Sequence, residues 1–373
     1  MTGTPVAFHD IARLRLRSQC IVASPNVPGC TSPREAVERL GALQGQDYAG
    51  ALWSIGLRVP GTTERSVEEA FARREIVRTW PMRGTLHVIP AADVRWMLEL
   101  LTPRVIARTA QRRANLALDD DALARATRLV TGALRGGNRL TREEMMALLE
   151  GGGIATTGQR GYHILFNLSM HRVIVFGPRA GTQQTFALFD EWLPDARSLP
   201  RDQSLALIVK RYFTGHAPAS AKDFAGWSGL TSADVKAGLA ANADSLVTET
   251  IEGITYWMPR GSAGELVISS ASDAARSASP SPDAHLLPGF DEYLLGYKDR
   301  SAILHADHSE RIIPGGNGVF KPTVVIDGQV KGTWRRVSSR GAVGVEATPF
   351  VPLSSAESRA VETAAHRYRA FVV

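Results

Sequence analysis

The sequence predicts a mainly α fold with β wings: three tandem winged helix-turn-helix units, then a C-terminal β-rich region and a terminal helix. Three observations predict it. Apolar residues recur at three- and four-residue spacing in successive short segments, the period of amphipathic helices. Each group of such segments ends in two strand-like runs joined by a glycine-marked turn. That order, helices and then a hairpin, occurs three times before the pattern becomes β-rich.

The first unit is expected over 1–118. FHDIARLRLRSQCI and PREAVERLGALQ carry the helical period; Thr31 or Ser32 caps the second, and Pro33 sits in its first turn. SVEEAFARREI is a third short helix, capped by Ser66, and VRTWPMRGTLHVIP forms two strands around Met82–Gly84. AADVRWMLELLTPRVIARTAQRRANL is a long helical return. The second unit, 119–200, has DALARATRLVTGALRG, a capping box of Thr141 with Glu144, a third helix in GQRGYHILFNLSMHRV and a hairpin in VIVFGPRAGTQQTFALFD. The third, 201–268, runs through SLALIVKRYFTGH, SAKDFAGWSG and TSADVKAGLAANAD to a hairpin turning at Glu252–Gly253. Residues 269–284, SSASDAARSASPSPDA, are small and polar and predict a linker or loop. Residues 285–373 alternate strands with glycine turns and close in a helix capped by Ser354 or Ser355.

Composition narrows the function classes. At 373 residues the chain has room for two or three domains, and 44% hydrophobic with 21% charged residues is ordinary for a soluble protein. No apolar run reaches membrane-span length, and the start MTGTPVAFHDIARLRLR lacks the apolar core of a secretion signal, so a cytoplasmic, nucleoid-associated protein is expected. Two cysteines, Cys20 and Cys30, cannot build a disulfide framework or a four-cysteine zinc site. The HADH run at His305–His308 lacks further ligands at a useful spacing, and GGNG at Gly315–Gly318 lacks the lysine and helix of a phosphate loop. No metal and no organic cofactor are expected.

The formal charge of +6 is unevenly placed. Residues 1–118 hold sixteen cations, all arginine, against ten carboxylates, whereas the remainder holds twenty-seven of each. A basic N-terminal region on a neutral body is the electrostatic footprint of nucleic-acid binding, and arginine's planar fork suits phosphate.

The segment LGALQGQDYAGALWSIGLRVPG stands out chemically. Residues two apart on a helix diverge by about 200°, so Gln44 and Gln46 converge only if the chain is extended or turned. Gly41, Gly45 and Gly50 weaken a helix here. Two converging amides do not titrate, but they can orient a water and hydrogen-bond a developing charge. The alternative is a polar helix end with solvated glutamines. Arg83 falls at the expected hairpin tip, flanked by Trp80 and His87; a wing-tip arginine can enter the minor groove or grip phosphate, or simply occupy an exposed turn. His87 also fits a half-buried strand histidine.

The string from Leu40 to Gly61, RTWPMRGTLHVIPAADVRWML, LLPGFDEYLLGYKDRS and NGVFKPTVVIDGQVKGTWRR together resemble the AlkZ-like family of bacterial winged-helix DNA glycosylases, across essentially the whole chain. The family motif is Gln, a non-polar residue, then Gln or Asp. Here it reads Gln44–Gly45–Gln46, with glycine in the middle as a mild departure. Glutamine in the second position resembles members tied to interstrand-crosslink repair and antibiotic self-resistance. The resemblance implies monofunctional hydrolysis of cationic N7-alkylguanine, with Gln46 holding the water and Gln44 orienting water or sugar, in an open cleft. It implies double-stranded DNA carrying alkylated purines or crosslinks as partner, engaged by a monomer. Family members use a hairpin of the C-terminal β region near DNA, which makes Lys298, Arg300, Arg335 and Arg336 candidate phosphate contacts; a self-neutralising surface patch is the other reading. Asp291 and Glu292 invite a general-base role and rank below the glutamines. The rival functions are a winged-helix transcription regulator without catalysis and a scaffold for protein contacts.

Overall fold

The computed structural model describes residues 10–24, 27, 29–261, 281–339 and 342–373. The chain begins with α1 (Asp10–Ser18), α2 (Pro33–Leu40), β1 (Leu43–Gln44), α3 (Tyr48–Arg58) and α4 (Glu64–Ala72). A hairpin of β2 (Ile76–Met82) and β3 (Thr85–Pro90) leads into α5 (Val94–Arg108) and α6 (Ala110–Asn115). Next come α7 (Asp120–Leu134), β4 (Leu140–Thr141), α8 (Arg142–Gly151), α9 (Arg160–Met170), β5 (Ile174–Phe176), β6 (Thr185–Leu188) and α10 (Phe189–Trp192). They are followed by α11 (Arg201–Gly215), β7 (Ala219–Ser220), α12 (Ala221–Ser228), α13 (Ser232–Ala240), β8 (Leu246–Ile251) and β9 (Ile254–Pro259). The last stretch holds β10 (Ala284–Leu287), α14 (Glu292–Leu295), β11 (Thr323–Ile326), β12 (Gln329–Ser339), β13 (Ala342–Pro349) and α15 (Ser355–Val372).

Local chemistry accounts for these boundaries. Ser32 caps α2 by accepting the Glu35 N–H, Pro33 starts the helix, and Gly41 at φ 77° ends it. Thr141 and Glu144 form the reciprocal box on α8, and Ser354 with Glu357 does the same on α15. The expected Ser66 cap is corrected: α4 begins two residues earlier, and Thr63 and Ser66 bond each other's backbone N–H at 3.2 and 2.9 Å. The long return after β3 is interrupted at Thr109 between α5 and α6. Two hairpins turn where expected, at Arg83–Gly84 (φ 56° and 79°) and Glu252–Gly253 (φ 49° and 77°). Paired positive φ values give the two-residue turn whose twist matches the strands, and the glycine adopts it without strain.

The order helix, two-residue strand, two helices, hairpin recurs, and in sheets β4-β6-β5 and β7-β9-β8 the short strand pairs with the second hairpin strand. Strands β10-β11-β12-β13 form an antiparallel sheet in simple succession. The expected linker 269–284 lies mostly outside the described residues; its last residue, Ala284, opens β10.

The compact units divide after Val67 and after Ser204; the second boundary lies close to the expected division at 200, and neither lies at 118 or 268. One unit is the contiguous stretch Glu68–Ser204. Its core joins Trp80 and Leu86 of the hairpin to Val130 and Leu134 of α7, Met145 of α8 and Ile164 and Phe166 of α9, so no boundary falls at 118. The other unit combines the stretch ending at Val67 with everything from Leu205 onward. There α1 docks through Arg15, which donates to the Pro218 carbonyl at 3.1 Å, and Ser18, which donates to that of Ala217 at 2.7 Å. The Tyr293 hydroxyl ties α1 to the C-terminal sheet through the carbonyls of Ala12 and Gly328. The Trp53 indole donates to Leu286 at 2.6 Å and packs against Tyr368 and Phe371 of α15 at 5.1 Å.

Candidate active site

Gly41 breaks α2 so that Leu43 and Gln44 run extended before the chain bends into α3. The glutamines therefore lie in a turn and not on a helix. Gln44 is buried, at 7% exposure, and its side-chain Oε1 accepts the Gln46 backbone N–H at 2.5 Å. Gln46 itself is exposed. One amide thus shapes the turn and the other is presented by it.

The floor of this turn comes from the far end of the sequence. The Gln44 N–H donates to Glu292 Oε1 at 3.2 Å. The other oxygen, Oε2, accepts the Trp227 indole N–H at 2.9 Å and faces His216 Nε2 at 3.4 Å. His216 is held in turn by Tyr212, through the backbone carbonyl at 3.2 Å and a ring stacked 4.4 Å away. Glu292 is fully buried, so it holds backbone and does not reach solvent. Gly296 makes the close approach possible: a Cβ there would stand 2.5 Å from His216 Cδ2 and 2.6 Å from the Glu292 carbonyl. Gly296→Ala is expected to destabilise the protein by about 1–3 kcal/mol through overpacking, read as a lower urea midpoint.

Beside Glu292, Asp291 caps α14 by accepting the Tyr293 N–H and forms a two-pronged ion pair with Arg58, both contacts 2.9 Å. Ser54 donates to the same carboxylate at 2.5 Å, and Arg58 also donates to Gln19 Oε1 at 2.8 Å. Both charged side chains are wholly inaccessible. Burial alone would raise the Asp291 pKa; Arg58, Ser54 and the Tyr293 N–H overcome it and hold the carboxyl below its ordinary range. Burial likewise opposes the charge on Arg58, yet Asp291 and Glu292 raise its pKa. Gln19 completes the lattice, donating to the Tyr297 hydroxyl and the Glu292 carbonyl at 3.1 and 3.3 Å. The general-base role weighed for Asp291 and Glu292 is therefore corrected: both carboxylates are enclosed and engaged.

The other expected residues divide. Arg83 is at the hairpin tip and half-buried; it donates to His87 Nε2 at 3.1 Å, while Nδ1 meets the Thr85 carbonyl at 3.0 Å. His87 and Trp80 are corrected as DNA contacts. His87 is fully buried behind Arg83, and Trp80 is packed against Tyr162, Phe166 and Phe176. Lys298 is exposed. Arg300 is half-buried, donating to the Leu294 carbonyl at 2.7 Å with its guanidinium over Phe320, and burial lowers its pKa; it is a fold contact first. Arg335, 70% exposed, pairs across the strand with Glu346 at 2.6 Å. Its neighbour Arg336 faces the opposite side of β12, where its charge is felt by the Tyr368 hydroxyl. Burial raises the Tyr368 pKa, Arg336 opposes this, and the carboxylates of Glu64 and Asp47 add to it. Arg336 and Asp47, the residue after Gln46, thus act on one hydroxyl.

Sequence reasoning missed Gln19, His216 and Trp227 altogether. Each is an isolated polar or aromatic residue in an amphipathic segment, with no motif to flag it.

The structure thus presents an exposed amide on a braced turn, within helical units that end in hairpins. Residues 37–371 match the AlkZ-like DNA glycosylase family, and the chain belongs to it: it is a DNA glycosylase, an enzyme that hydrolyses N-glycosidic bonds. A relative from Streptomyces sahachiroi, an interstrand DNA cross-link repair glycosylase, is 27% identical over 362 residues, covering 91% of each chain. The solved structure of Streptomyces sahachiroi DNA glycosylase AlkZ superposes with a TM-score of 0.77 over 98% of this chain and 97% of that one; at 24% identity it shows the shared fold. No helix among the described residues is long and apolar enough to cross a membrane.

Proposed function

We propose that this glycosylase releases cationic N7-alkylguanine from double-stranded DNA and unhooks interstrand crosslinks made through that atom, acting as a monomer. The observation that carries the reading is the turn itself: Gln46 is exposed, and the buried Gln44 amide holds its backbone. A guanine alkylated at N7 already bears positive charge, so it leaves as the neutral base once the C1′–N9 electron pair departs. The enzyme need only place a water at C1′ and stabilise the sugar cation. The Gln46 amide oxygen accepts an O–H of that water and orients its lone pair; the proton passes to solvent after attack. Gln44 fixes the turn, a positioning role narrower than direct contact with water or sugar.

A crosslinked base stays tethered to the opposite strand, so complete flipping into a closed pocket is hindered. An exposed Gln46 supports an open cleft. The recurring helix-and-hairpin units support a tandem winged-helix architecture, with Arg83 a wing-tip contact. The relative's role in cross-link repair supports the crosslink substrate. Lys298, Arg335 and Arg336 are assigned to phosphate. Replacing Arg335 and Arg336 together by glutamine is expected to reduce the slope of log affinity against log salt by about 0.9 for each phosphate that is no longer neutralised, with fluorescence anisotropy on undamaged duplex as the measurement. An unchanged slope removes them from the interface.

The test of function uses two duplexes, one with N7-methylguanine and one with an N7-linked crosslink. Incubation followed by hot alkali cuts at any abasic site formed. Strand cleavage of both supports the reading; cleavage of the monoadduct alone restricts it, and cleavage of neither refutes it.

A further inference from the structure

We propose that Asp47 is a second catalytic residue, an anion set beside the scissile sugar to oppose the positive charge that develops there. This rests on the Gln44–Gln46 turn being the glycosylase site. Glycoside cleavage passes through an oxocarbenium-like sugar. Groups aimed at charge that appears only in the transition state accelerate the chemical step. The glutamine amides offer dipoles without net charge. A carboxylate supplies what they lack.

The carboxylates around the turn are of two kinds. Asp291 and Glu292 are buried and engaged in bonds to Arg58, Ser54, Trp227 and the Gln44 backbone. Asp47 is exposed and directly follows Gln46. It occupies the N-cap position of α3, where aspartate ordinarily folds back onto the free N–H groups of the first turn. Its side chain makes no such bond. It lies over Gly50 of that first turn without bonding it: a Cβ at Gly50 would stand 2.6 Å from Asp47 Oδ2 and 3.4 Å from Pro288. The missing side chain leaves the carboxylate its place.

Position argues for function too. An exposed anion on a phosphate-binding surface repels the DNA backbone and costs affinity. The charges of Asp47 and of Arg336, a cation assigned to phosphate, are both felt at Tyr368. An anion kept there against its electrostatic cost to binding fits a role in the chemical step. The bond changes are those of the hydrolysis above. Asp47 takes up and gives up no proton in the reaction.

The test compares Asp47→Asn, Asp47→Glu and Gln46→Ala in single-turnover release of 7-methylguanine from a duplex, with affinity measured on undamaged duplex. Asp47→Asn keeps the shape and removes the charge, and is expected to slow release by about thirtyfold while affinity stays equal or tightens. Asp47→Glu, which restores charge, is expected to recover part of the rate. Slower chemistry with tighter binding is a split that a structural defect does not produce. If Asp47→Asn stays within about threefold of wild type while Gln46→Ala is strongly impaired, Asp47 has no catalytic role and the glutamine site stands. Loss of rate matched by loss of affinity, or no recovery in Asp47→Glu, also overturns the proposal. Wild-type rates for all three variants overturn both the proposal and the glutamine site.

Discussion

Gln46→Ala is expected to slow single-turnover release of 7-methylguanine by about a hundredfold, with affinity for undamaged duplex and the thermal midpoint nearly unchanged. The three readouts separate because of where the residue lies. Gln46 is exposed, so truncation opens no cavity. The turn keeps its shape, since the Gln44 side chain grips the backbone N–H of residue 46 and not its side chain. What disappears is the group that orients the water. Gln44→Ala should behave differently. It removes the acceptor inside the turn, so it should lower stability and rate together. Equal rates for Gln46→Ala and wild type would take this residue out of the mechanism.

Asp291→Asn is expected to give the largest loss of stability, about 3–5 kcal/mol, because it leaves the Arg58 charge buried without its counter-ion. The measurement is urea unfolding at neutral pH, and an unchanged midpoint would refute it. Replacing both partners, Arg58→Met with Asp291→Leu, should cost less than the single change, since no charge then remains to be desolvated. The same pair sets an acid limit. The folded-state pKa of Asp291 is depressed, so its contribution is complete above the unfolded carboxyl value of about 3.9. That contribution fades as pH falls through the lower folded value. Acid unfolding should begin in that range, and Asp291→Asn should lose that part of the pH dependence.

Much of the local fold is legible in the residues. The Arg83–Gly84 and Glu252–Gly253 turns, the box at Thr141 and the cap at Ser354 all rest on short-range chemistry; around Gln44 the residues leave an extended turn and a polar helix end both open. Long-range organisation is not legible. Nothing local tells Trp80 that its apolar partners lie on α9 and β5, so the sequence suggests an accessible tryptophan on the wing's flank where the fold buries one. His87 misleads for the same reason. Glu292 stands out as a carboxylate, but its work, holding the Gln44 N–H 248 residues away in sequence, depends on a docking that no motif encodes. Glycine spacing draws attention to the amide pair, yet which amide is presented and which is buried emerges only in three dimensions.

The unit that carries the glutamine turn is assembled from both ends of the chain, with the contiguous stretch Glu68–Ser204 between them. During synthesis that middle stretch leaves the ribosome whole and can fold at once, as domains do. The turn cannot. Gln44 emerges early but waits for Glu292, and Trp53 waits for Tyr368 and Phe371 of α15. A ribosome-stalled or prematurely terminated product would thus carry a folded middle and an unbraced turn. Chains that stop short of Glu292 should be inactive on DNA, and the hydrolase comes into being only after Glu292 and α15 have been made.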